Sequence, residues 1–173
     1  MKTLLILRHA KSSWSDPGLA DFDRPLNERG LRTAPFMGSL IISKGHAPSI
    51  ILSSPATRAR QTAELARSGA DLSAEIVYDE RIYEANPLAL TQVVSELDDS
   101  INSAMVVGHN PGMEGFVRHL TGENEAMPTT ALAVVKLGID SWKAINSGCG
   151  KLSAIYRPKD EIADALHTDG STI

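Results

Sequence analysis

Short apolar runs alternate with longer stretches of helical composition along most of the chain. The apolar runs have the length of buried strands, and the first four cover residues 3–7, 49–53, 75–78 and 104–107. The helical stretches cover residues 28–44, 56–68, 87–97 and 113–120. This alternation predicts an α/β domain, a three-layer α/β/α sandwich whose sheet is mainly parallel.

Capping residues mark several of the predicted helix ends. Asn27 precedes the first helix, where its side chain would accept a hydrogen bond from a free backbone N–H. Pro87 is typical of a first helical position, and Gly69 and Gly122 are typical of helix stops. Pro35 lies inside the first predicted helix, which we expect it to kink or divide.

The last part of the chain departs from the alternation. Residues 131–137 and 152–156 are predicted strands with no helical stretch between them, which favours one antiparallel element at an edge of the sheet. The last dozen residues are expected to form a frayed tail. We therefore predict one domain over residues 1–160 and a C-terminal tail over residues 161–173.

Composition and charge narrow the classes of function. The chain has 173 residues, 42% hydrophobic and 22% charged, which fits a single globular domain. Its net charge of −4 argues against nucleic-acid partners, whose phosphates need a basic face. The first apolar run ends at Arg8, too early for a signal peptide, and no run reaches the ~20 residues of a membrane helix. Cys149 is the only cysteine, so no internal disulfide can form, and we expect a cytoplasmic protein without membrane partners.

Polar side chains follow each of the first four predicted strands. Arg8 and His9 follow the first strand, and Arg58 comes shortly after the second. Glu80 follows the third strand and His109 the fourth. Because ligands of parallel sheets bind beyond the carboxyl ends of the strands, we expect these side chains to meet there. Each residue alone would be an ordinary structural or surface residue, so the prediction depends on their conjunction.

This set of side chains suits phosphoryl transfer. The planar guanidinium of arginine offers paired donors to phosphate oxygens and keeps its charge. A neutral imidazole can attack phosphorus and carry the phosphoryl group, which divides hydrolysis into two steps. A carboxylic acid can protonate the leaving group and then, as a carboxylate, activate water. The sequence therefore predicts a phosphatase that works by positioning and charge stabilisation, without a metal or cofactor.

Four ordered segments resemble a known family. They are residues 7–14 (LRHAKSSW), 23–30 (DRPLNERG), 53–63 (SSPATRARQTA) and 106–111 (VVGHNP). Their order and spacing resemble the signature segments of the histidine phosphatase superfamily, which includes the cofactor-dependent phosphoglycerate mutases. The resemblance covers roughly residues 3–140 and implies a phosphoglycerate mutase-like fold. The short chain and the Gly-His-Asn-Pro segment look most like the SixA-type phosphohistidine phosphatases.

The resemblance also implies roles for individual residues. His9 would accept the phosphoryl group, and Arg8, Arg58 and His109 would complete the phosphate-binding pocket. Family members have a proton-donating acid after the third strand, where Glu80 is the best match and Glu84 the second choice. The SixA type implies a phosphohistidine on a protein as the substrate, with a small phosphorylated molecule as the alternative.

Two residues depart from the family's pattern at the start of the site. Ala10 stands where the family usually has glycine, so a positive φ is not expected at this position. Lys11 stands where mutases have a glutamate. It would either add positive charge at the mouth of the pocket or be an ordinary exposed lysine.

Other enzyme classes find less support. None of the five histidines, His9, His46, His109, His119 and His167, has a spacing typical of metal ligands. No Gly-x-Ser-x-Gly elbow of a serine hydrolase is present. A mutase usually has a longer chain, and a non-catalytic phosphate-binding module could dispense with His9. The sequence therefore supports a phosphatase better than either a mutase or a phosphate-binding module.

Overall fold

The computed structural model describes residues 1–169, with the side chains of residues 1–166. Within these residues six strands form one sheet. The strands are β1 (Lys2–Arg8), β2 (Ile50–Ser53), β3 (Glu75–Tyr78), β4 (Ser103–Gly108), β5 (Leu132–Leu137) and β6 (Gly150–Tyr156). All six predicted strands are confirmed, with ends that differ by at most two residues.

The strand order across the sheet is β3-β2-β4-β1-β5-β6. The first four strands in this order are mutually parallel, whereas β5 runs antiparallel to both of its neighbours. Strand β6 therefore runs in the same direction as β1. The prediction of a mainly parallel sheet with one antiparallel strand is confirmed.

Helices cover both faces of this sheet. The α-helices in the described part of the chain are α1 (Glu28–Ser43), α2 (Thr57–Gly69), α3 (Pro87–Ser95), α4 (Gly112–Thr121) and α5 (Pro158–Asp169). Short 3-10 helices cover Asp21–Asp23, Glu80–Ile82 and Trp142–Ala144. Three of the predicted caps are present: Asn27 accepts a hydrogen bond from Gly30 N, Pro87 is the first residue of α3, and Gly122 ends α4 with φ of 79°.

Strand β1 shows how the two faces are filled. Its side chains alternate, as those of any strand do. Leu5 and Leu7 pack with α1 and α2, whereas Leu4 and Ile6 pack with α3 and α4. All four side chains are fully buried. Helix layers on both faces of a central sheet confirm the predicted three-layer sandwich.

Helices α1 and α2 approach each other closely because glycines lie at their contact. A Cβ atom at Gly38 would lie 2.1 Å from the carbonyl oxygen of Ala66, and one at Gly69 would lie 2.2 Å from that of Pro35. Pro35 was expected to kink or divide the first helix, and the division is wrong because α1 is continuous through residue 35. Packing of α1 against α2 at this point offsets the backbone hydrogen bond that proline cannot make.

The predicted tail is partly helical. Helix α5 covers Pro158–Asp169 and spans the predicted boundary at residue 160, so the expectation of a frayed tail is wrong for residues 162–169. Residues 170–173 lie outside the described residues. Ile162 and Leu166 of α5 line a groove beside α1, and Leu166 is 69% exposed. No helix within residues 1–169 combines the length and the apolar character needed to cross a membrane.

Candidate active site

The four parallel strands β1, β2, β3 and β4 end at the same edge of the sheet, where two adjoining hollows open. The inner pocket has a volume of ≈250 Å³ and is lined by Arg8, His9, Lys11, Ser12, Trp14, Arg24, Arg58, His109, Asn110 and Thr129. The outer cleft has a volume of ≈490 Å³. Arg58, His109 and Asn110 line both hollows. The structure thus brings together Arg8, His9, Arg58 and His109, four of the five predicted site residues.

His9 lies at the base of the inner pocket, immediately after β1. Its backbone N–H donates to Gly108 O at 2.9 Å, and its ring is 7% exposed. Its Nδ1 lies 2.7 Å from Ala10 O, a carbonyl that can only accept, so Nδ1 carries the proton and Nε2 keeps a free lone pair. Burial lowers the pKa of His9 to about 3, helped by the charges of Arg58 and Arg8. The ring is therefore neutral at physiological pH, the form that can attack phosphorus.

Backbone hydrogen bonds fix the segment that carries His9. Ala10 N donates to Thr62 Oγ1 at 2.9 Å, and Thr62 Oγ1 donates to Arg58 O at 2.7 Å. The N–H of Thr130 donates to both Arg8 O and His9 O, at 3.1 and 3.0 Å. Thr130 reaches this position with φ of 65°, an unusual value for a β-branched residue. Ala10 does not adopt a positive φ, which confirms that expectation.

His109 faces His9 across the pocket, with 5.1 Å between the ring centroids. Its Nε2 lies 2.8 Å from Ser54 Oγ, and the edge of the Tyr83 ring packs against it. Its buried Nδ1 has no hydrogen-bond partner among the residues that the structure describes. Burial, together with the nearby charge of Arg58, lowers the pKa of His109 to about 4. A ring with one nitrogen anchored and the other free suits a donor to an oxyanion.

The guanidinium groups of Arg8 and Arg58 differ in the hydrogen bonds that they already make within the protein. Arg8 donates through Nη1 to Met127 O at 3.1 Å, while its buried Nε has no partner within residues 1–169. Arg58 lies in the first turn of α2 and donates through Nη1 to Asp21 O at 2.6 Å and through Nη2 to Asp21 Oδ2 at 2.9 Å. Lys11 also lines the inner pocket. This concentration of cations suits a tetrahedral oxyanion.

Asp21 is the acidic partner of this basic pocket, and sequence analysis did not find it. Its carboxylate accepts hydrogen bonds from Arg58, from Arg24 at 3.1 Å and from the Tyr83 hydroxyl at 2.7 Å. The hydroxyl of Tyr83 and the two guanidinium groups lower the pKa of Asp21 to about 2. Asp21 is therefore ionised at physiological pH and is unsuited to donate a proton.

The structure does not bring Glu80 to the site. Glu80 is exposed in a 3-10 helix and lines neither the inner pocket nor the outer cleft. Glu84, the second choice, lines the outer cleft and adopts a φ of 55°. The chain turns after the 3-10 helix, and this turn directs residue 84 rather than residue 80 toward the cleft. The assignment of the proton donor to Glu80 therefore finds no support in the geometry.

Three further contacts in the site were not assigned from the sequence. Ser54 and Thr62 lie within the segment of residues 53–63, but nothing in the pattern marks them as partners of His109 and of the His9 segment. Asn110 donates through Nδ2 to Met127 O at 2.9 Å and to Glu114 Oε1 at 3.0 Å. Its position directly after His109 was the one available signal. Within residues 1–169, no three His, Cys, Asp or Glu side chains lie in an arrangement that could hold a metal ion.

A sequence profile described as the histidine phosphatase superfamily, branch 1, matches residues 4–107 of the chain. The chain belongs to the histidine phosphatase superfamily. It is 34% identical over 164 residues to the uncharacterized protein MT1313 of Mycobacterium tuberculosis, which covers 88% of this chain and 100% of that protein. This membership, together with the similarity to the SixA structure described next, shows that the chain is a phosphatase.

Solved structures of other members resemble this histidine phosphatase along most of its length. A SixA protein from Agrobacterium tumefaciens has a TM-score of 0.78 and 31% sequence identity, over 91% of this chain and 98% of that one. A protein histidine phosphatase SixA complexed with tungstate has a TM-score of 0.80 and 21% identity, over 92% and 99% of the two chains. These likenesses confirm the predicted phosphoglycerate mutase-like fold.

Proposed function

We propose that the protein is a metal-independent phosphohistidine phosphatase of the SixA type, which works through a covalent phosphohistidine on His9. The observation that carries this proposal is the neutral His9 ring, with its Nδ1 bound to a carbonyl and its Nε2 free, beside Arg8 and Arg58. A nucleophile in this state needs no base to activate it. The similarity to SixA proteins supports the same reaction.

The first half of the reaction transfers the phosphoryl group to His9. Arg8, Arg58 and His109 bind the phosphoryl oxygens; two of their polar atoms, Arg8 Nε and His109 Nδ1, have no hydrogen-bond partner among residues 1–169. The lone pair of His9 Nε2 attacks phosphorus as the bond from phosphorus to the leaving nitrogen or oxygen breaks. The leaving atom takes the electron pair of that bond and a proton. Charge on the transferred group is stabilised by donors that are already in place.

The second half returns His9 to its starting form. Water attacks phosphorus of the phosphohistidine, the bond to Nε2 breaks, and inorganic phosphate leaves. The proton lost by water passes to a base beside the leaving-group side of the site. Glu84 lines the outer cleft, which supports its assignment both as the proton donor of the first half and as this base.

The outer cleft favours a second candidate, a small-molecule phosphomonoesterase. Its volume of ≈490 Å³ lies in the range of small-ligand sites. A leaving group bound opposite His9 would pass between Arg58 and His109 into this cleft, since both residues line the two hollows. The phosphohistidine interpretation is preferred because a SixA protein, at 31% identity over 91% of this chain, is among the solved structures that resemble it.

A substrate panel tests the proposal. The wild type and the variant His9→Ala are assayed with chelator present against a histidine-phosphorylated protein, against para-nitrophenyl phosphate and against sugar phosphates. We expect the histidine-phosphorylated protein to be the best of these substrates. The His9→Ala enzyme should lose about a thousandfold or more in kcat, because water cannot replace a phosphoryl-accepting group.

Three outcomes of the panel separate the readings. Equal or better turnover of a sugar phosphate would overturn the phosphohistidine assignment and favour the second candidate. Full activity of His9→Ala would exclude His9 as the nucleophile. Loss of wild-type activity with chelator, restored by added metal, would contradict metal independence.

A further inference from the structure

An exposed tryptophan at the mouth of the inner pocket has no role in the reaction described above. Trp14 lines the pocket together with Arg8, His9 and Lys11, yet it is 73% exposed. It belongs to none of the buried core clusters. A large aromatic side chain left in water beside a phosphate pocket needs an explanation other than core packing.

One face of Trp14 contacts a buried arginine. The guanidinium carbon of Arg24 lies 3.2 Å from the centroid of the indole ring. Arg24 is itself only 6% exposed, and it donates hydrogen bonds to Ser12 Oγ, Ser13 O and Asp21 Oδ1. One face of the indole therefore rests on a fixed cation, and the other face is open to solvent. A surface that is already ordered loses little conformational entropy when a partner binds it.

Two more apolar side chains of the same segment are exposed. Leu19 is 39% exposed and Phe22 is 37% exposed. Phe22 packs edge-on against Tyr83, which lines the outer cleft. Trp14 thus lies at the inner pocket and Phe22 beside the outer cleft, and the exposed apolar side chains of residues 14–22, Trp14, Leu19 and Phe22, are called the apolar rim.

The rim reaches beyond both hollows. Leu19 and Phe22 line neither the inner pocket nor the outer cleft, so a small phosphorylated molecule confined to those hollows would not contact them. A polypeptide that presents a phosphorylated side chain to His9 would cover the rim with the residues around that side chain. Tryptophan is also the residue type most often found to dominate the energy of protein interfaces.

We propose that Trp14, fixed on Arg24 and flanked by Leu19 and Phe22, is a docking surface for the polypeptide around the phosphorylated side chain of a protein substrate. This inference rests on the proposed function and adds the surface that selects a protein over a small molecule. Trp14 acts on substrate binding and takes no part in the transfer of the phosphoryl group.

The test compares one protein substrate with one small substrate that has the same type of P–N bond. The substrates are a tryptophan-free protein phosphorylated on histidine and phosphoramidate itself. The variants are Trp14→Ala, Trp14→Phe and, as a control, Ile42→Ala, which removes a side chain 39% exposed near the far end of α1. We expect Trp14→Ala to raise KM for the protein about tenfold, as truncation of an interface tryptophan does. KM for phosphoramidate should rise several-fold less than KM for the protein, because a small anion meets Trp14 only at the mouth of the inner pocket, and Trp14→Phe should be intermediate for the protein.

Fluorescence gives a readout that does not depend on turnover. Trp142, the other tryptophan, is fully buried, so emission from exposed indole comes from Trp14. In the inactive His9→Ala background, binding of the tryptophan-free phosphoprotein should shift this emission to shorter wavelength, and Trp14→Phe should abolish the shift. Two results would overturn the docking surface. One is an equal rise in KM for both substrates in Trp14→Ala, and the other is no rise in KM for the protein together with no emission shift. Turnover of phosphoramidate that survives His9→Ala would instead refute the proposed function, so the two failures are distinguishable.

Discussion

The carboxylate of Asp21 accepts a hydrogen bond from the guanidinium group of Arg58, with Oδ2 at 2.9 Å from Nη2. The backbone carbonyl of Asp21 accepts from Nη1 of the same arginine at 2.6 Å. Arg58 lines both the inner pocket and the outer cleft, so the group proposed to bind a phosphoryl oxygen already holds an internal anion. The side chain of Asp21 is 51% exposed, which leaves its charge close to any bound phosphate but partly screened by solvent.

This relationship predicts that Asp21→Asn tightens the binding of inorganic phosphate about threefold to tenfold, because a neutral amide no longer repels the anion through a screened charge. The inhibition constant of phosphate measures this effect. Asp23→Asn is the control, since Asp23 is exposed in the same 3-10 helix. Weaker phosphate binding in Asp21→Asn would show instead that Asp21 acts mainly by orienting Arg58.

The position of Glu84 in the outer cleft predicts a leaving-group dependence. Glu84→Gln should lower kcat for an alkyl phosphate by about tenfold to a hundredfold, since a poor leaving group needs a proton in the transition state. The same variant should lower kcat for phosphoramidate less, because its nitrogen leaves already protonated and only the attack of water on the phosphohistidine still needs Glu84. Steady-state kinetics with both substrates measures the difference.

Glu80→Gln provides the matched control for that experiment, because Glu80 is an exposed carboxylate outside both hollows. We expect it to leave both rates unchanged. A loss confined to Glu80→Gln would restore the original assignment of the proton donor to residue 80. Equal losses of kcat on both substrates in Glu84→Gln would indicate that Glu84 acts mainly as the base of the second half, which both substrates share.

The close contact of α1 and α2 predicts a large effect from a small substitution. Gly38→Ala should lower the free energy of unfolding by about 1–3 kcal/mol, because the new Cβ would overlap a backbone carbonyl that cannot move aside as a side chain can. Urea denaturation measures this loss. Ser43→Ala, at the exposed end of the same helix, should change the stability by less than about 1 kcal/mol. An unchanged urea midpoint in Gly38→Ala would contradict the observed packing of the two helices.

The sequence predicts most of the sheet and four residues of the site for the same reason. Buried strands are short apolar runs, and the polar residues that follow them meet because parallel strands end at one edge. Arg8, His9, Arg58 and His109 all follow strands in this way. To predict that these four side chains meet, it is enough to know that their strands are parallel neighbours in one sheet, and the conformation of the loops is not needed.

Residues that reach the site from loops could not be predicted in this way. Asp21 contacts Arg58 across 37 positions of sequence, and no periodic pattern links the two. Glu84 reaches the cleft, and Glu80 does not, because of a backbone turn with φ of 55° that leaves no mark on composition. Helix α5 was missed because its side chains at residues 159–166 are all exposed or half-buried and leave no apolar stripe, although Pro158 at its start was an available signal.

The buried histidines predict a specific pH dependence. The pKa is lowered to about 3 for His9 and to about 4 for His109, so both rings should stay neutral at pH 5, where an ordinary histidine with a pKa near 6.5 would be mostly protonated. Imidazole resonances in an NMR titration measure this, with His9→Ala and His109→Ala to assign the signals. Since the unfolded chain binds these protons below about pH 6.5 and the folded chain does not until about pH 4, the free energy of unfolding should fall as pH is lowered through that window.

Bound tungstate adds negative charge beside both rings and should raise both pKa values. A His9 resonance that titrates near pH 6.5 in the free protein would mean that the ring is protonated in mildly acidic solution. A protonated ring has no lone pair for phosphorus, so the proposed attack by His9 without a base would be contradicted at those pH values.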